Sequence, residues 1–276
     1  MALDSSPPTF WRRNSNRDTP GISRRDFLAA AGAAAIATAC CRNAGAGPVL
    51  PDISYAMLRA RPAKPVRKAT PGLRPLALGT GIRDGSIYVP PTYSVTKPSP
   101  LLVLLHGASH DSKEWSQGPL QELFDTGRIV VVMPDSRRST WDMMYGDYGP
   151  DVRFIDRALA LAFAECRIDP DLIALGGFSD GGTYALSLGI TNANLFRSVI
   201  AFSPGTVRPA AKTGKPRIFI THGTRDQVLP IEETSREIVA ALREKNYPVT
   251  YEEFDGPHTV TAERARRAID WFLAGK

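Results

Sequence analysis

One stretch of this sequence decides the fold: Asp171-Leu-Ile-Ala-Leu-Gly-Gly-Phe-Ser-Asp-Gly-Gly-Thr-Tyr-Ala-Leu-Ser-Leu188. Its apolar run from Leu172 to Leu175 predicts a buried strand, and the two glycines that follow predict a sharp bend. The apolar residues between Tyr184 and Leu188 predict a helix after the bend. The stretch therefore predicts a strand, a tight bend at Ser179 and a helix.

The bend has the spacing Gly177-Phe-Ser179-Asp-Gly181. A serine with glycines two residues before and after it is typical of a strained strand-to-helix turn, because the strand and the helix nearly touch there. The helix that follows directs N–H groups toward the serine, where negative charge develops during acyl transfer. We therefore predict that Ser179 is a nucleophile; the alternative is an ordinary tight turn with an N-cap serine.

Strands and helices alternate along the rest of the chain. A hairpin arm is predicted over residues 81–93, and apolar runs predict further strands at 100–105, 129–133, 198–202, 217–222 and 249–254. Helical spacing of apolar residues predicts helices at 120–124, 151–166, 232–245 and 261–273. This alternation, without an internal repeat, predicts a doubly wound α/β fold with its ligand site at the C-terminal ends of the strands.

The net charge of +6 is unevenly distributed. Residues 1–75 contain 12 Lys and Arg against 4 Asp and Glu, whereas residues 76–276 contain 22 against 24. The basic excess therefore lies outside the predicted α/β domain, which argues against binding to nucleic acid.

The N-terminal region has the pattern of a twin-arginine export signal. Arg24-Arg25 precede an alanine-rich apolar run that ends at Ala39 and is too short to span a bilayer, which takes about 20 residues. Ala37-Thr38-Ala39-Cys40 fits either ordinary cleavage after an A-x-A site or lipidation of Cys40. We expect residues 1–40 to direct the protein to the twin-arginine machinery. It would then reach the periplasm, the cell envelope or the medium, with membrane attachment if Cys40 is lipidated.

Residues 41–75 are rich in Ala, Pro, Gly and Arg without a sustained period, which predicts a linker or a loosely attached arm before a folded domain over residues 76–276. The three cysteines have neither the spacing of a zinc site nor that of a disulfide framework. We expect no metal and no cofactor.

A serine nucleophile needs a histidine base, and the chain has four histidines. His106 and His110 lie on the loop after an early strand, and His222 ends a later strand, where local packing or hydrogen bonding is expected. His258 lies on the loop between the last strand and the last helix, the place of a base that reaches back over the serine. We therefore predict His258 as the base.

The carboxylate that orients this base should lie between the serine and the histidine in the sequence. Asp226, on the turn after the strand 217–222, has this place. Asp255 is the second candidate, but it is too close in sequence to His258 to orient the ring from its far side. We predict Asp226.

Two backbone N–H groups are expected to bind the oxyanion. One is that of Asp180, directly after the nucleophile, and the other is that of Ala108, with Ser109 as the alternative. The side chain of Asp180 is expected to point into solvent, because a carboxylate would repel the developing anion; a pair with Arg137 or Arg138 is the other possibility.

These residues together resemble an α/β-hydrolase. His106-Gly107, Gly177-Phe-Ser179-Asp-Gly181, His222-Gly-Thr-Arg-Asp226 and His258 are similar to serine esterases of the phospholipase/carboxylesterase type, and also to polyhydroxybutyrate-depolymerase-like and feruloyl-type esterases. The resemblance covers residues 76–276 and implies an eight-stranded, mostly parallel sheet, ester hydrolysis through an acyl-serine and no metal. Asp180 departs from these families, which often have glutamine or alanine there.

The short segment between Pro204 and Arg217 predicts that no helical lid covers the site. Loops carrying Trp115, Trp141 and Tyr145 are expected to bound an open substrate pocket, although simple packing of these loops is the alternative. The alternatives to an ester hydrolase are a peptidase of the same fold and a lipid-anchored binding protein on an inactive hydrolase scaffold.

Overall fold

The computed structural model of the protein describes residues 53–79, 83–116 and 120–275. The expected export signal over residues 1–40, with Cys40, lies outside these residues. None of the helices in the described part is long and apolar enough to cross a membrane.

A single mixed sheet forms the centre of the described structure. Its strands are β1 (Gly72–Pro75), β2 (Gly85–Val89), β3 (Ser99–Leu105), β4 (Val130–Pro134), β5 (Ile168–Phe178), β6 (Ser198–Phe202), β7 (Arg217–Gly223) and β8 (Val249–Phe254). They lie in the order β1-β2-β4-β3-β5-β6-β7-β8; β3 to β8 are parallel, and β2 pairs antiparallel with both of its neighbours, β1 and β4. Every residue of β3, β4 and β6 is buried, as expected for parallel strands covered on both faces.

Helices cover both faces of this sheet. They are α1 (Lys113–Ser116), α2 (Leu120–Gly127), α3 (Pro150–Glu165), α4 (Asp180–Thr191), α5 (Ser235–Glu244) and α6 (Ala262–Leu273). Apolar residues of α3, α4 and α5 form one core with one face of the sheet, and those of α2 and α6 form a second core with the other face. Successive side chains of β3 point to opposite faces of the sheet, so this strand contributes to both cores. Leu101 and Val103 lie in the first core, and Leu102 lies in the second. The predicted doubly wound α/β architecture is confirmed.

The segment before β1, predicted as a linker or a loosely attached arm, is anchored to the domain in its described part. Ala56 and Leu58 are buried in the core beside α3 and α4. The amide of Asn192 accepts a hydrogen bond from Leu58 N–H (2.8 Å) and donates one to the Ala56 carbonyl (3.0 Å), and Asp156 accepts one from Arg59 N–H (2.7 Å). The described part of residues 41–75 is therefore an extended arm bound to the domain. The few residues of the arm that contact the domain are not regularly spaced along the sequence. The sequence pattern therefore does not reveal these contacts.

The connection between β6 and β7 carries no lid. Residues 203–216, all of which the structure describes, contain no helix. The carboxyl ends of the neighbouring parallel strands are therefore not covered by an insertion at this point.

Candidate active site

Ser179 lies at the junction of β5 and α4 in a strained backbone conformation. Its φ of 56° and ψ of −119° are values that a residue with a side chain seldom adopts. The flanking glycines make the junction possible. A Cβ on Gly177 would lie 2.3 Å from the carbonyl oxygen of Gly181, and one on Gly181 would lie 2.3 Å from the carbonyl oxygen of Leu105. Strand, turn and helix are in close backbone contact, which leaves the Ser179 hydroxyl at the carboxyl edge of the sheet.

The structure brings His258 to Ser179. The imidazole Nε2 is 2.9 Å from Ser179 Oγ, and the ring packs on Phe178 with 4.6 Å between centroids. His258 belongs to the loop that joins β8 to α6, so the topology returns it to the serine from 79 residues away. The unprotonated Nε2 is placed to accept the hydroxyl proton.

Asp226 holds the other side of the same imidazole. Its Oδ2 lies 2.5 Å from His258 Nδ1, and its Oδ1 accepts hydrogen bonds from the N–H groups of Val228 (2.9 Å) and Leu229 (2.8 Å). Burial by itself would raise the pKa of Asp226, but hydrogen bonds from two histidines and from Leu229 N–H outweigh burial and hold this pKa below its usual value. Asp226 is therefore a fixed, ionised acceptor.

The second candidate acid is directed away from the imidazole. Asp255 is 80% exposed at its side chain and forms an ion pair with Arg225 at 2.6 Å. Of the two candidates, the structure brings only Asp226 into contact with His258.

His106 has a structural place under the loop after β3. The buried ring donates from Nδ1 to the Gly107 carbonyl (2.7 Å) and accepts the N–H of Ser136 at Nε2 (2.9 Å). Burial lowers the pKa of His106 to about 4, so the ring is neutral at pH 7. It shapes the loop, as its sequence position indicates.

Two backbone N–H groups flank the serine. Asp180 is the first residue of α4, so its N–H has no partner within the helix. Within the described ranges, neither this N–H nor that of Ala108 donates a hydrogen bond. Ser109 N–H donates to the Ser139 carbonyl (2.7 Å), which favours Ala108 over Ser109 as the second donor. The loop is close to the nucleophile, since a Cβ on Gly107 would lie 3.6 Å from Ser179 Cβ.

Glu114 is a site residue that the sequence did not reveal. It is buried at the start of the segment after the Gly107 loop, and its Oε2 accepts the N–H of Gly107 at 2.7 Å. Burial raises the pKa of Glu114 to about 8, although the bond from Gly107 opposes this shift. The buried carboxyl group ties down the residue next to Ala108. No motif marks it, because a glutamate in a polar segment is usually exposed.

We expect the Glu114→Gln variant to lose less stability than the wild type when the pH rises from 5 to 8. The folded-state pKa of Glu114 lies above that of the unfolded chain, so its stabilising contribution is complete below the unfolded value and is lost as the pH rises toward 8. The difference in the free energy of unfolding between the variant and the wild type should change by about 1 kcal/mol per pH unit in this range. Urea unfolding at both pH values measures it. Glu122→Gln, at an exposed position on α2, is the control that should follow the wild type; parallel curves for Glu114→Gln would contradict the assignment.

The side chain of Asp180 has a partner that was not among the predicted ones. Its Oδ2 accepts a hydrogen bond from Thr140 Oγ1 at 2.7 Å. Arg137 instead donates to the carbonyls of Asp135 and Arg83. The predicted solvent-facing carboxylate is therefore half-buried, and it links the first residue of α4 to the loop that follows β4.

Two of the three predicted pocket residues are part of the core. Trp115 is 1% exposed and packs against Phe202, while Trp141 is fully buried, stacks on Tyr184 and donates from Nε1 to the His106 carbonyl (2.9 Å). The large apolar area of an indole is better buried than left on an open loop. We therefore remove Trp115 and Trp141 from the predicted pocket.

Tyr145 keeps its predicted place at the surface. It is 52% exposed, its hydroxyl lies 2.7 Å from Ser139 Oγ, and the guanidinium of Arg138 lies over its ring. Met144 (38% exposed) and Val228 (44% exposed) add apolar surface on the Tyr145 loop and on the Asp226 turn. These loops leave apolar groups accessible near the carboxyl ends of the strands. In the part of the chain with described coordinates, no cluster of His, Cys, Asp and Glu could hold a metal ion.

Comparison with known proteins agrees with this geometry. The family model "Esterase" (Putative esterase) matches residues 81–265. A bifunctional acetylxylan esterase/xylanase of Neocallimastix patriciarum is 31% identical over 155 residues, which are 55% of this chain and 22% of that protein. Feruloyl esterase D of Neurospora crassa is 27% identical over 162 residues, 54% of this chain and 55% of that protein. The matches thus span about half, or less, of these relatives' lengths.

Solved structures that superpose on this chain include esterases of the α/β-hydrolase fold. The CE1 ferulic acid esterase of Anaeromyces mucronatus, solved with ferulic acid, superposes with a TM-score of 0.57 and 17% identity over 82% of this chain and 96% of that chain. At this identity the likeness shows the fold. Together with the family match over most of the domain, it leads to one conclusion: this chain belongs to the Esterase family and has the α/β-hydrolase fold.

Proposed function

We propose that this protein hydrolyses carboxylic esters through an acyl-serine intermediate. The observation that carries the proposal is the continuous contact from Asp226 through His258 to Ser179, with distances of 2.5 and 2.9 Å. Membership of the Esterase family supports the same reaction.

Each group has a role that its geometry permits. His258 Nε2 accepts the proton of Ser179 Oγ as that oxygen attacks the ester carbonyl, and then gives the proton to the leaving alcohol. Water enters, His258 removes its proton, and the acid is released as Ser179 is restored. Asp226 orients the imidazole and stabilises its protonated form.

The oxyanion of both tetrahedral intermediates would be bound by the N–H groups of Ala108 and Asp180. Such donors act without reorganisation, and the loss of one typically costs about 3 kcal/mol of barrier. Glu114 at Gly107 and Thr140 at the Asp180 side chain would hold these donors in place. In this proposal, the nucleophile, the base, the orienting acid and the oxyanion donors are all groups of this chain, and water is the second substrate.

The substrate class follows from the open rim. Tyr145, Met144 and Val228 offer apolar surface, and residues 203–216 contribute no covering helix. We propose short acyl or aryl esters in solution as substrates, a class consistent with the acetylxylan and feruloyl esterases among its relatives. The export pattern of residues 1–40 supports action outside the cytoplasm, with anchoring if Cys40 is lipidated.

We expect p-nitrophenyl acetate and butyrate to be hydrolysed with a kcat/KM at least about tenfold above that for the palmitate ester, because an open rim provides no long groove that gains binding energy from each added methylene. A chain-length panel with soluble and emulsified substrates measures this. A preference for emulsified long chains would contradict the substrate class, and absence of hydrolysis for every ester would contradict the reaction.

A further inference from the structure

A second histidine contacts the carboxylate that orients His258. His222, the penultimate residue of β7, is completely buried. Its Nε2 lies 3.0 Å from Asp226 Oδ2, the same oxygen that His258 Nδ1 contacts. The sequence predicts only local packing or hydrogen bonding for His222, because two residues four apart on a turn carry no sign of whether their side chains meet.

The partners of His222 determine where its proton lies. Its Nε2 faces Asp226 Oδ2 and the Leu229 carbonyl (2.9 Å), and both of these oxygens only accept hydrogen bonds. Its Nδ1 lies 2.7 Å from the hydroxyl of Ser235, which can donate. A neutral ring with its hydrogen on Nε2 fits all three contacts, with that hydrogen shared between Asp226 Oδ2 and the Leu229 carbonyl, and Ser235 at the start of α5 is compatible with this tautomer.

Asp226 is therefore the centre of a row of five side chains: Ser179, His258, Asp226, His222 and Ser235. Its Oδ2 accepts the hydrogen bond from His258 Nδ1 and lies 3.0 Å from His222 Nε2, while its Oδ1 accepts the two backbone N–H groups of the turn. Both oxygens of the carboxylate thus have partners, which hold it against His258. The hydrogen bond from His222 is also among the causes that keep the pKa of Asp226 low.

Other charged groups near this row are paired with one another. Arg225, on the same turn, forms an ion pair with Asp255 of the His258 loop. Glu253 of β8 is bound by Arg236 of α5 and accepts the hydroxyl of Tyr251. Among the described residues, two imidazoles contact the Asp226 carboxylate directly, those of His258 and His222.

We propose that His222 is a positioning residue of this active site: it holds the Asp226 carboxylate in the plane of His258 and takes up part of its negative charge. This proposal rests on the proposed ester hydrolysis. Its consequence is that His222 sets the strength with which Asp226 supports a protonated His258, and thereby the pH at which the enzyme becomes active.

We expect His222→Leu to lower kcat about tenfold, with KM changed less than about twofold, because Asp226 loses one of the contacts that hold it in place and therefore orients His258 toward Ser179 less rigidly. The acid limb of kcat/KM against pH should move to higher pH, since Asp226 without this donor stabilises the protonated imidazole more strongly. In His222→Gln the side-chain amide N–H can replace the Nε2–H group. This variant should therefore recover most of the wild-type kcat and most of the wild-type position of the acid limb. A decrease in kcat with an unmoved acid limb would indicate a merely structural role and overturn the proposal.

Ser235→Ala is the variant that tests the proposal without removing a buried ring. It deletes only the hydroxyl that contacts Nδ1 of His222, so the acid limb should move in the same direction by a smaller amount. Nitrogen chemical shifts of His222 should show hydrogen on Nε2 in the wild type. The proton between His258 and Asp226 should give a deshielded resonance that moves further downfield in His222→Leu.

These spectra separate the proposal from the reaction on which it rests. If the wild type hydrolyses no ester, the proposed function fails, while the shifted resonance still reports contact between His222 and Asp226. If the wild type is active but the pH profile and resonance of His222→Leu coincide with those of the wild type, the role of His222 is refuted and ester hydrolysis stands.

Discussion

Replacing Ser179 with alanine is expected to lower kcat on p-nitrophenyl acetate by about 10⁴-fold or more, with little change in KM. The attacking oxygen would be absent, whereas the backbone N–H groups of Ala108 and Asp180 that bind the carbonyl oxygen would remain. The fold should persist, because alanine needs no more space than serine and experiences no additional strain at a φ of 56°.

Ser203→Ala is the matched control for this experiment. Ser203 follows the adjacent strand β6, is buried and also has a positive φ of 46°, but its hydroxyl has no hydrogen-bond partner among the described residues. We expect its kcat to equal that of the wild type. A fluorophosphonate probe should label the wild type and Ser203→Ala on Ser179 and should not label Ser179→Ala. Unreduced turnover by Ser179→Ala, or labelling of this variant, would refute the assignment of Ser179 as the nucleophile. If the protein were instead a binding protein on an inactive hydrolase scaffold, the wild type would not be labelled either.

Replacing Gly181 with alanine is expected to lower the free energy of unfolding by more than about 3 kcal/mol. The added Cβ would lie 2.3 Å from the carbonyl oxygen of Leu105 and 2.5 Å from that of His106. Both contacts are with the backbone of β3 and its following loop, so no side-chain rotation can relieve them. Relief requires α4 to move away from the sheet, which would disturb the core and displace Ser179 together.

Gly205→Ala controls for the general cost of an added methyl group. A Cβ at Gly205 would meet only the methyl groups of Leu229 at 3.4 and 3.5 Å and Thr183 Oγ1 at 3.6 Å, which are ordinary contacts. We expect its free energy of unfolding to change by less than about 1 kcal/mol. Chemical denaturation of both variants and the wild type measures the difference. Equal stability of Gly181→Ala and the wild type would show that strand and helix do not touch as described.

The architecture is readable from the sequence because it follows from local pattern. Continuous apolar runs mark β3 to β7, and alternation of strand and helix leaves few topologies for a parallel sheet. The contacts that anchor the arm before β1 were not predicted, because they are isolated, such as that of Leu58 with Asn192 across 134 residues. Such contacts leave no period in the arm itself.

The set Ser179, Asp226 and His258 was predictable for a related reason. In a parallel sheet the carboxyl ends of all strands meet at one edge, so residues that directly follow strands become neighbours whatever their sequence separation. The motif around Ser179 and the order of acid and base then select among the polar residues at that edge.

Other features depend on side-chain directions that only packing decides. Trp115 and Trp141 were expected at an open rim, but filling the core determined their place. No sequence pattern singled out Glu114, which is buried against Gly107.

The sequence by itself determined the order of strands and helices, the glycine-flanked turn, and which serine, histidine and aspartate reach one edge of the sheet. The tertiary structure alone decided which donors surround Asp226, including His222, and which aromatic rings are core rather than surface. The physical reason is that backbone pattern repeats along the chain and is legible locally, whereas a hydrogen bond or a packed ring requires two side chains from different elements to meet within a few tenths of an ångström.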